Sequence, residues 1–137
     1  VCATPDYWAE HGRPAAPADL AGHNCFGYSY LATRNEWRFQ GPDGPAAVRV
    51  AGSLTSNNGD ILRAAALGGL GVVLTPTFMV CDDLRAGTLE PVLADFPVEP
   101  QGIHAVYPHN RHLSAKVRAF VDYLLESFGA TPPWDAA

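Results

Sequence analysis

Three cysteines and five histidines are the side chains of this sequence best suited to metal binding or nucleophilic chemistry. Cys2, Cys25 and Cys81 are odd in number, widely spaced and set among apolar neighbours. That context predicts buried, reduced thiols rather than a disulfide framework. No Cys-x-x-Cys occurs, so a structural zinc site has no support. His109-Asn110-Arg111-His112 places two imidazoles three residues apart, but no carboxylate stands at an offset that would complete a metal site. It is expected to be a solvated loop. His11 and His23 fall at predicted helix ends, where a cation meets the negative pole of the helix dipole. The sequence lacks a Gly-x-Ser-x-Gly elbow, a His-Glu-x-x-His pair and a Walker loop. Gly68-Gly69-Leu70-Gly71 leads from a helix into a strand, whereas a phosphate loop must run from strand to helix. Ser56 and Asp60 have no histidine marked to complete a triad. No catalytic residue, metal ligand or cofactor is expected.

Binding is a different matter. In an open parallel sheet, ligands lie beyond the carboxyl ends of strands and at helix amino termini, where backbone N–H groups are free. Leu54-Thr55-Ser56-Asn57 follows a predicted strand and leads a helix that begins near residue 58. Thr55, Ser56 and Asn57 could receive a carboxylate there, and the same residue types also suit helix capping. Tyr28 and Ser29, at the end of another predicted strand, form the second candidate place. Thr75-Pro76 reads as a hinge or loop feature rather than a contact.

The elements that must position these residues follow from pattern. Pro5–His11 is a short helix, with Thr4 as cap, Pro5 at its first position and Gly12 as its stop. A helical turn over Ala18–Gly22 precedes an aromatic strand, Cys25–Tyr30. Glu36–Gln40 and Ala46–Ala51 form a hairpin across Gly41-Pro42-Asp43-Gly44-Pro45. Ile61, Leu62, Ala65, Ala66 and Leu70 repeat at helical spacing after Asn57 or Asn58. Gly71–Thr75 is an apolar run of the kind buried on both faces of a sheet. Thr77–Ala86 is a helix closed by Gly87, Thr88–Leu93 and Gly102–Tyr107 are strands, and Ser114 opens a last helix ending at Phe128. Val117, Phe120, Val121, Leu124, Leu125 and Phe128 make its apolar stripe. Strands alternating with helices predict an α/β fold with mostly parallel pairing.

The chain has 137 residues, 47% hydrophobic and 17% charged, enough apolar surface for a core. Fourteen acids outweigh nine Lys and Arg, for a net charge of −5. Phosphate binding demands the opposite balance, so this piece is not expected to hold nucleic acid. No apolar stretch approaches the ~20 residues that cross a bilayer, and no membrane partner is expected. The sequence opens at Val1, without Met, in what reads as mid-strand, so a longer parent protein is expected.

Five phrases in order resemble one family. Ala3-Thr4-Pro5-Asp6-Tyr7-Trp8-Ala9-Glu10-His11-Gly12 is similar to the opening of the second effector subdomain of LysR-type transcriptional regulators. Pro17-Ala18-Asp19-Leu20 with His23-Asn24-Cys25, then Trp37-Arg38-Phe39, resemble its next two segments. Ser56-Asn57-Asn58-Gly59-Asp60 through Gly71 is similar to its helix-to-strand passage, and Tyr107-Pro108 through Phe120 to the lead into its last helix. The resemblance implies a fold like type 2 periplasmic binding proteins, with one complete subdomain and the C-terminal half of the other. Residues 1–72 would be subdomain two; residues 73–137 would supply the return strand and C-terminal portion of subdomain one. It further implies that the Thr55–Asn57 loop lines an effector cleft holding a small, anionic or aromatic metabolite. A cytoplasmic homo-oligomer (dimer or tetramer) is implied too, touching DNA only through an N-terminal domain outside this sequence. Without the first half of subdomain one, apolar sheet surface is expected to be exposed or to recruit another chain. A periplasmic-type solute-binding lobe, which shares the implied fold, is the alternative.

Overall fold

Three extended segments, each two residues deep, form the centre of the computed structural model, which describes residues 1–31, 33, 35–100, 102–107, 114–129 and 131–135. They are β1 (Cys2–Ala3), the stretch Val72–Val73, and Cys25–Phe26 leading into β2 (Gly27–Tyr28). Val73 bridges Cys2 antiparallel and Val72 bridges Cys25 in parallel. Successive residues of an extended chain point to opposite faces. Accordingly Ala3, Cys25 and Val72 enter one core cluster while Cys2, Phe26 and Val73 enter another. The apolar run at 71–75 is therefore buried on both faces, as its composition predicts; Val72 and Val73 have no exposed surface.

The first cluster lies under α1 (Pro5–His11) and the hairpin of β3 (Glu36–Gly41) and β4 (Gly44–Arg49). α1 starts where sequence places it: Thr4 Oγ1 accepts the Tyr7 N–H at 3.2 Å, and Gly12, at φ 83°, ends it. Tyr7 and Trp8 go inward, and the Trp8 indole N–H donates to the Glu90 carbonyl at 3.1 Å. Trp37, Phe39 and Val48 give the hairpin its buried face. Its turn is tighter than the five residues expected. The ladder runs to Gly41 opposite Gly44, leaving Pro42 and Asp43 to turn the chain. Gly44, which re-enters the ladder after the turn, sits at φ 116°, a conformation that a side chain resists.

The second cluster lies under α2 (Gly59–Leu67) and α3 (Thr77–Ala86). Leu62 and Ala66 of α2 meet Val80 of α3 there, and Gly87 closes α3 in the left-handed conformation. Asp83, nearly buried, accepts both Arg63 Nε at 2.5 Å and Arg63 Nη2 at 2.7 Å. That fork explains why a carboxylate is tolerated inside. It also pushes the Arg63 guanidinium above its ordinary value, the hydrogen bond to Asp83 being the main cause.

Three further expectations are corrected. Pairing is mixed rather than mostly parallel: β2 runs parallel to β5 (Thr55–Ser56), while β1 with β6 (Glu90–Pro91) and β3 with β4 are antiparallel. The strand expected over 102–107 does not form; those residues are exposed and no described residue pairs with them. Alternation alone makes no strand without a ladder partner. The strand read as Cys25–Tyr30 is reduced to Gly27–Tyr28 with bridges at Asn24 and Cys25.

The contacts divide the chain into Val1–Glu99 and Pro100–Ala137. In the second unit α4 (Ala115–Phe128) starts from Ser114, whose Oγ accepts the Val117 N–H at 3.3 Å. Val117, Val121, Leu124 and Phe128 are half-buried, Phe120 and Leu125 are exposed, and no residue of α4 is fully buried. Phe128 packs its ring on Trp134 at 5.3 Å. The His109–His112 pair lies outside the described residues.

Candidate functional site

The two places that sequence singles out meet in space. β2 and β5 pair in parallel, Gly27 opposite Thr55 and Tyr28 opposite Ser56, so both chains leave the sheet at the same end. Ser29 N–H donates to the Ser56 carbonyl at 2.9 Å, extending the pairing by one residue. Beyond it Tyr28, Ser29, Asn35 and Thr55 line a cavity of about 390 Å³. Gly27 is what lets the strands approach: a Cβ there would stand 2.9 Å from Thr55 Oγ1.

The other two candidates play different parts. Ser56 Oγ accepts the Asn58 N–H at 3.0 Å, which makes it a turn residue before the helix. Asn57 Nδ2 donates to the Tyr30 hydroxyl at 3.2 Å, and Tyr30 meets Tyr28 edge to face at 6.0 Å. The cap of α2 is Asn58, whose Oδ1 accepts the Asp60 N–H at 2.8 Å. Thr55, Tyr28 and Ser29 thus line the cavity, whereas Ser56 and Asn57 do not: their side chains bond the Asn58 N–H and the Tyr30 hydroxyl instead. Hydroxyls, an amide and an aromatic ring can hydrogen-bond and stack on a small polar ligand.

Sequence reasoning passed over two residues here. Asn35 lines this cavity and also a neighbouring one of about 570 Å³, which is bordered by Glu36, Arg38, Arg49 and Val50. It sits in a polar connection with no local signal of a role. Asn24 is the second. Its Nδ2 donates to Ser53 Oγ at 3.0 Å and to the Leu70 carbonyl at 2.7 Å, and its Oδ1 accepts the Ser53 N–H at 2.7 Å. One amide thereby ties the segment before β5 to the chain entering Val72. Gly52 and Gly71 serve the same junction, since a Cβ at either would collide with the backbone carbonyl of Cys25 or Asn24 respectively.

Among the described residues no group of three metal-binding side chains converges, and no helix is long and apolar enough to cross a membrane. Cys25 is buried, and desolvation pushes its thiol up to about 12. Burial also raises Cys2. Neither supplies a thiolate near neutral pH. Cys81 departs from the expectation of three buried thiols, being only half-buried on α3.

Comparison with known families decides the class. The model of the LysR substrate binding domain matches residues 1–129. The chain belongs to that family. Among curated proteins it is 33% identical over 130 residues to the HTH-type transcriptional regulator CrgA of Neisseria meningitidis serogroup B, covering 94% of this chain and 43% of the relative. It is 32% identical over 137 residues to the HTH-type transcriptional regulator DmlR of Escherichia coli K12, covering 97% and 43%. The chain therefore spans less than half the length of these relatives. Among solved structures, the CrgA regulatory domain superposes with a TM-score of 0.74 at 33% identity, covering 93% of this chain and 63% of that one. Full-length AphB of Vibrio cholerae, described as a virulence activator of the same family, gives 0.78 at 28% identity, covering 91% and 43%. The type 2 periplasmic-binding-protein-like fold expected of the LysR effector-binding domain is thus established, and its relatives are regulators of transcription.

Proposed function

We propose that this LysR domain senses a small anionic or aromatic metabolite at the common end of β2 and β5, and so controls transcription by a larger protein. The observation that carries the reading is the convergence of Tyr28, Ser29, Asn35 and Thr55 on one cavity beyond a parallel strand pair. Hydroxyl and amide donors suit a carboxylate, and the Tyr28 ring, 37% exposed, offers a stacking face. Residues 1–72 form one lobe and contribute one wall of an effector cleft. Residues 73–137 belong to the return strand and C-terminal portion of the other lobe. The whole protein works as a homo-oligomer (dimer or tetramer) in the cytoplasm and reaches DNA through a separate N-terminal domain. Binding without chemistry is the reading supported by the relatives, which are named as transcriptional regulators, and among the described residues no nucleophile–base pair lines the cavity. Effector binding shifts transcription only by favouring one arrangement of the lobes over another. The family match favours this over a solute-binding lobe of the same fold.

The test is a thermal-shift screen of small carboxylates and aromatic acids. A ligand at a hundred times its Kd stabilises by about 2.7 kcal/mol, a readily measured rise in Tm. The rise should be lost in Thr55→Ala and reduced in Ser29→Ala. A ligand whose shift survives both changes binds elsewhere and would overturn the assignment.

A further inference from the structure

The hydroxyl of Tyr7 sits where three segments meet. It accepts the backbone N–H of Asn24 at 3.1 Å and lies 3.3 Å from Nδ1 of His23. Tyr7 is only 4% exposed, so its own proton needs an acceptor. Among the described residues His23 Nδ1 is the acceptor within reach, which fits a neutral ring carrying its proton on Nε2. Asn24 passes the connection on. Its side chain clasps Ser53, two residues before Thr55, and the Leu70 carbonyl, while its own carbonyl accepts the Val72 N–H at 2.9 Å.

We propose that the proton on His23 sets how firmly the segment 53–57 is held, acting through Tyr7 and Asn24, and so regulates the cavity at Thr55, Tyr28 and Ser29. The regulatory meaning rests on reading that cavity as the effector site. A charged imidazole donates from both nitrogens. Nδ1 then donates to the Tyr7 oxygen instead of accepting from it, and the phenol proton must turn to its other in-plane position. The Tyr7 oxygen is then shared between the His23 and Asn24 N–H groups, which weakens its hold on Asn24. Tyr7, Asn24 and His23 are thus positioning residues for the site.

The surroundings disfavour the charged form of the ring. Tyr7 and His11 face it from α1, with the Trp8 ring edge-on at 5.6 Å, and Asp19 faces it from the turn Pro17–Gly22. Cys25 adds an uncharged thiol beside Tyr7, and the Ser53 segment brings no titratable group to the contacts of Asn24. Burial first, then His11, hold His23 below its ordinary value, against a smaller opposite pull from Asp19. His11 stacks on Tyr7 at 4.3 Å, so it is the other imidazole in contact with that ring.

A ligand-free NMR titration of the whole chain tests this, following both imidazoles and the backbone amides of Asn24, Ser53, Thr55 and Ser56. The amides should shift with the midpoint of His23, below that of a free histidine. The shift should vanish in His23→Gln, persist in His11→Gln, and in Tyr7→Phe shrink while the His23 midpoint rises. Amides that stay fixed through the His23 titration, or that still titrate in His23→Gln, would overturn the proposal. Should a variant fail to fold, the wild-type midpoints alone decide between these outcomes. Because no ligand is used, a negative result leaves the effector site standing, and a failed metabolite screen leaves this coupling standing.

Discussion

The units Val1–Glu99 and Pro100–Ala137 contain helices written in the same local code but with opposite fates. α1, α2 and α4 each start from a capping side chain, Thr4, Asn58 and Ser114, and each repeats apolar residues on one face. In the first unit those faces close on a core: Tyr7, Trp8, Leu62 and Ala66 are all buried. In the second, Phe120 is 60% exposed and no residue of α4 is buried within the described structure. A cap and a 3.6-residue period suffice to make a helix; they do not supply what it packs against. The lesson concerns energy. Stability resides in the first unit, where two clusters sandwich the central strands.

Core truncation gives that contrast its largest test. Trp37→Ala should cost about 3–5 kcal/mol by urea denaturation, since it empties a fully buried indole site. Phe120→Ala should stay within about 0.5 kcal/mol. Equal losses would break the comparison. The caps sharpen it at a smaller scale. Asn58→Ala removes a cap from a helix locked into the core and should lower global stability by about 1 kcal/mol. Ser114→Ala should reduce helical circular dichroism and amide protection in α4 while leaving the main unfolding midpoint in place. The smallest effect is electrostatic. His23 sits below its ordinary value in the folded chain, so the unfolded chain binds more protons and stability rises with pH in that window. Stability is fully present above the free-histidine value and declines as pH falls through that of folded His23. Denaturation midpoints at stepped pH should show this decline, and His23→Gln should flatten it.

Local signals were legible wherever the chain interacts with itself over a few residues. Thr4, Pro5 and Gly12 bound α1, and Pro76 with Gly87 bounds α3, because caps and breakers act within one turn. The buried run at Val72–Val73 was legible because a segment covered on both faces must be apolar throughout. Pairing was harder. Gly102–Tyr107 alternates like a strand yet has no described partner, and the ladders are mixed because β1 meets Val73 and Glu90 in antiparallel sense. At the site, Tyr28, Ser29 and Thr55 could be named from the rule that ligands gather at strand ends. Their meeting depended on Gly27 admitting Thr55, which composition does not announce. Asn24 and Asn35 escaped notice because their partners lie far along the sequence or across a cavity.

The alternation of Cys25 and Phe26 between the two clusters has a consequence for how this chain can change length. Adding or deleting one residue between Asn24 and Gly27 would send every following side chain of β2 to the opposite face. Phe26 would be exchanged with its neighbours for the wrong core, and Tyr28 would turn away from the cavity. The hairpin tip at Pro42-Asp43 carries no such constraint, since its residues face neither cluster. Insertions and deletions among natural variants should therefore collect at that tip and be absent from the six residues after Leu20 that lead into β2.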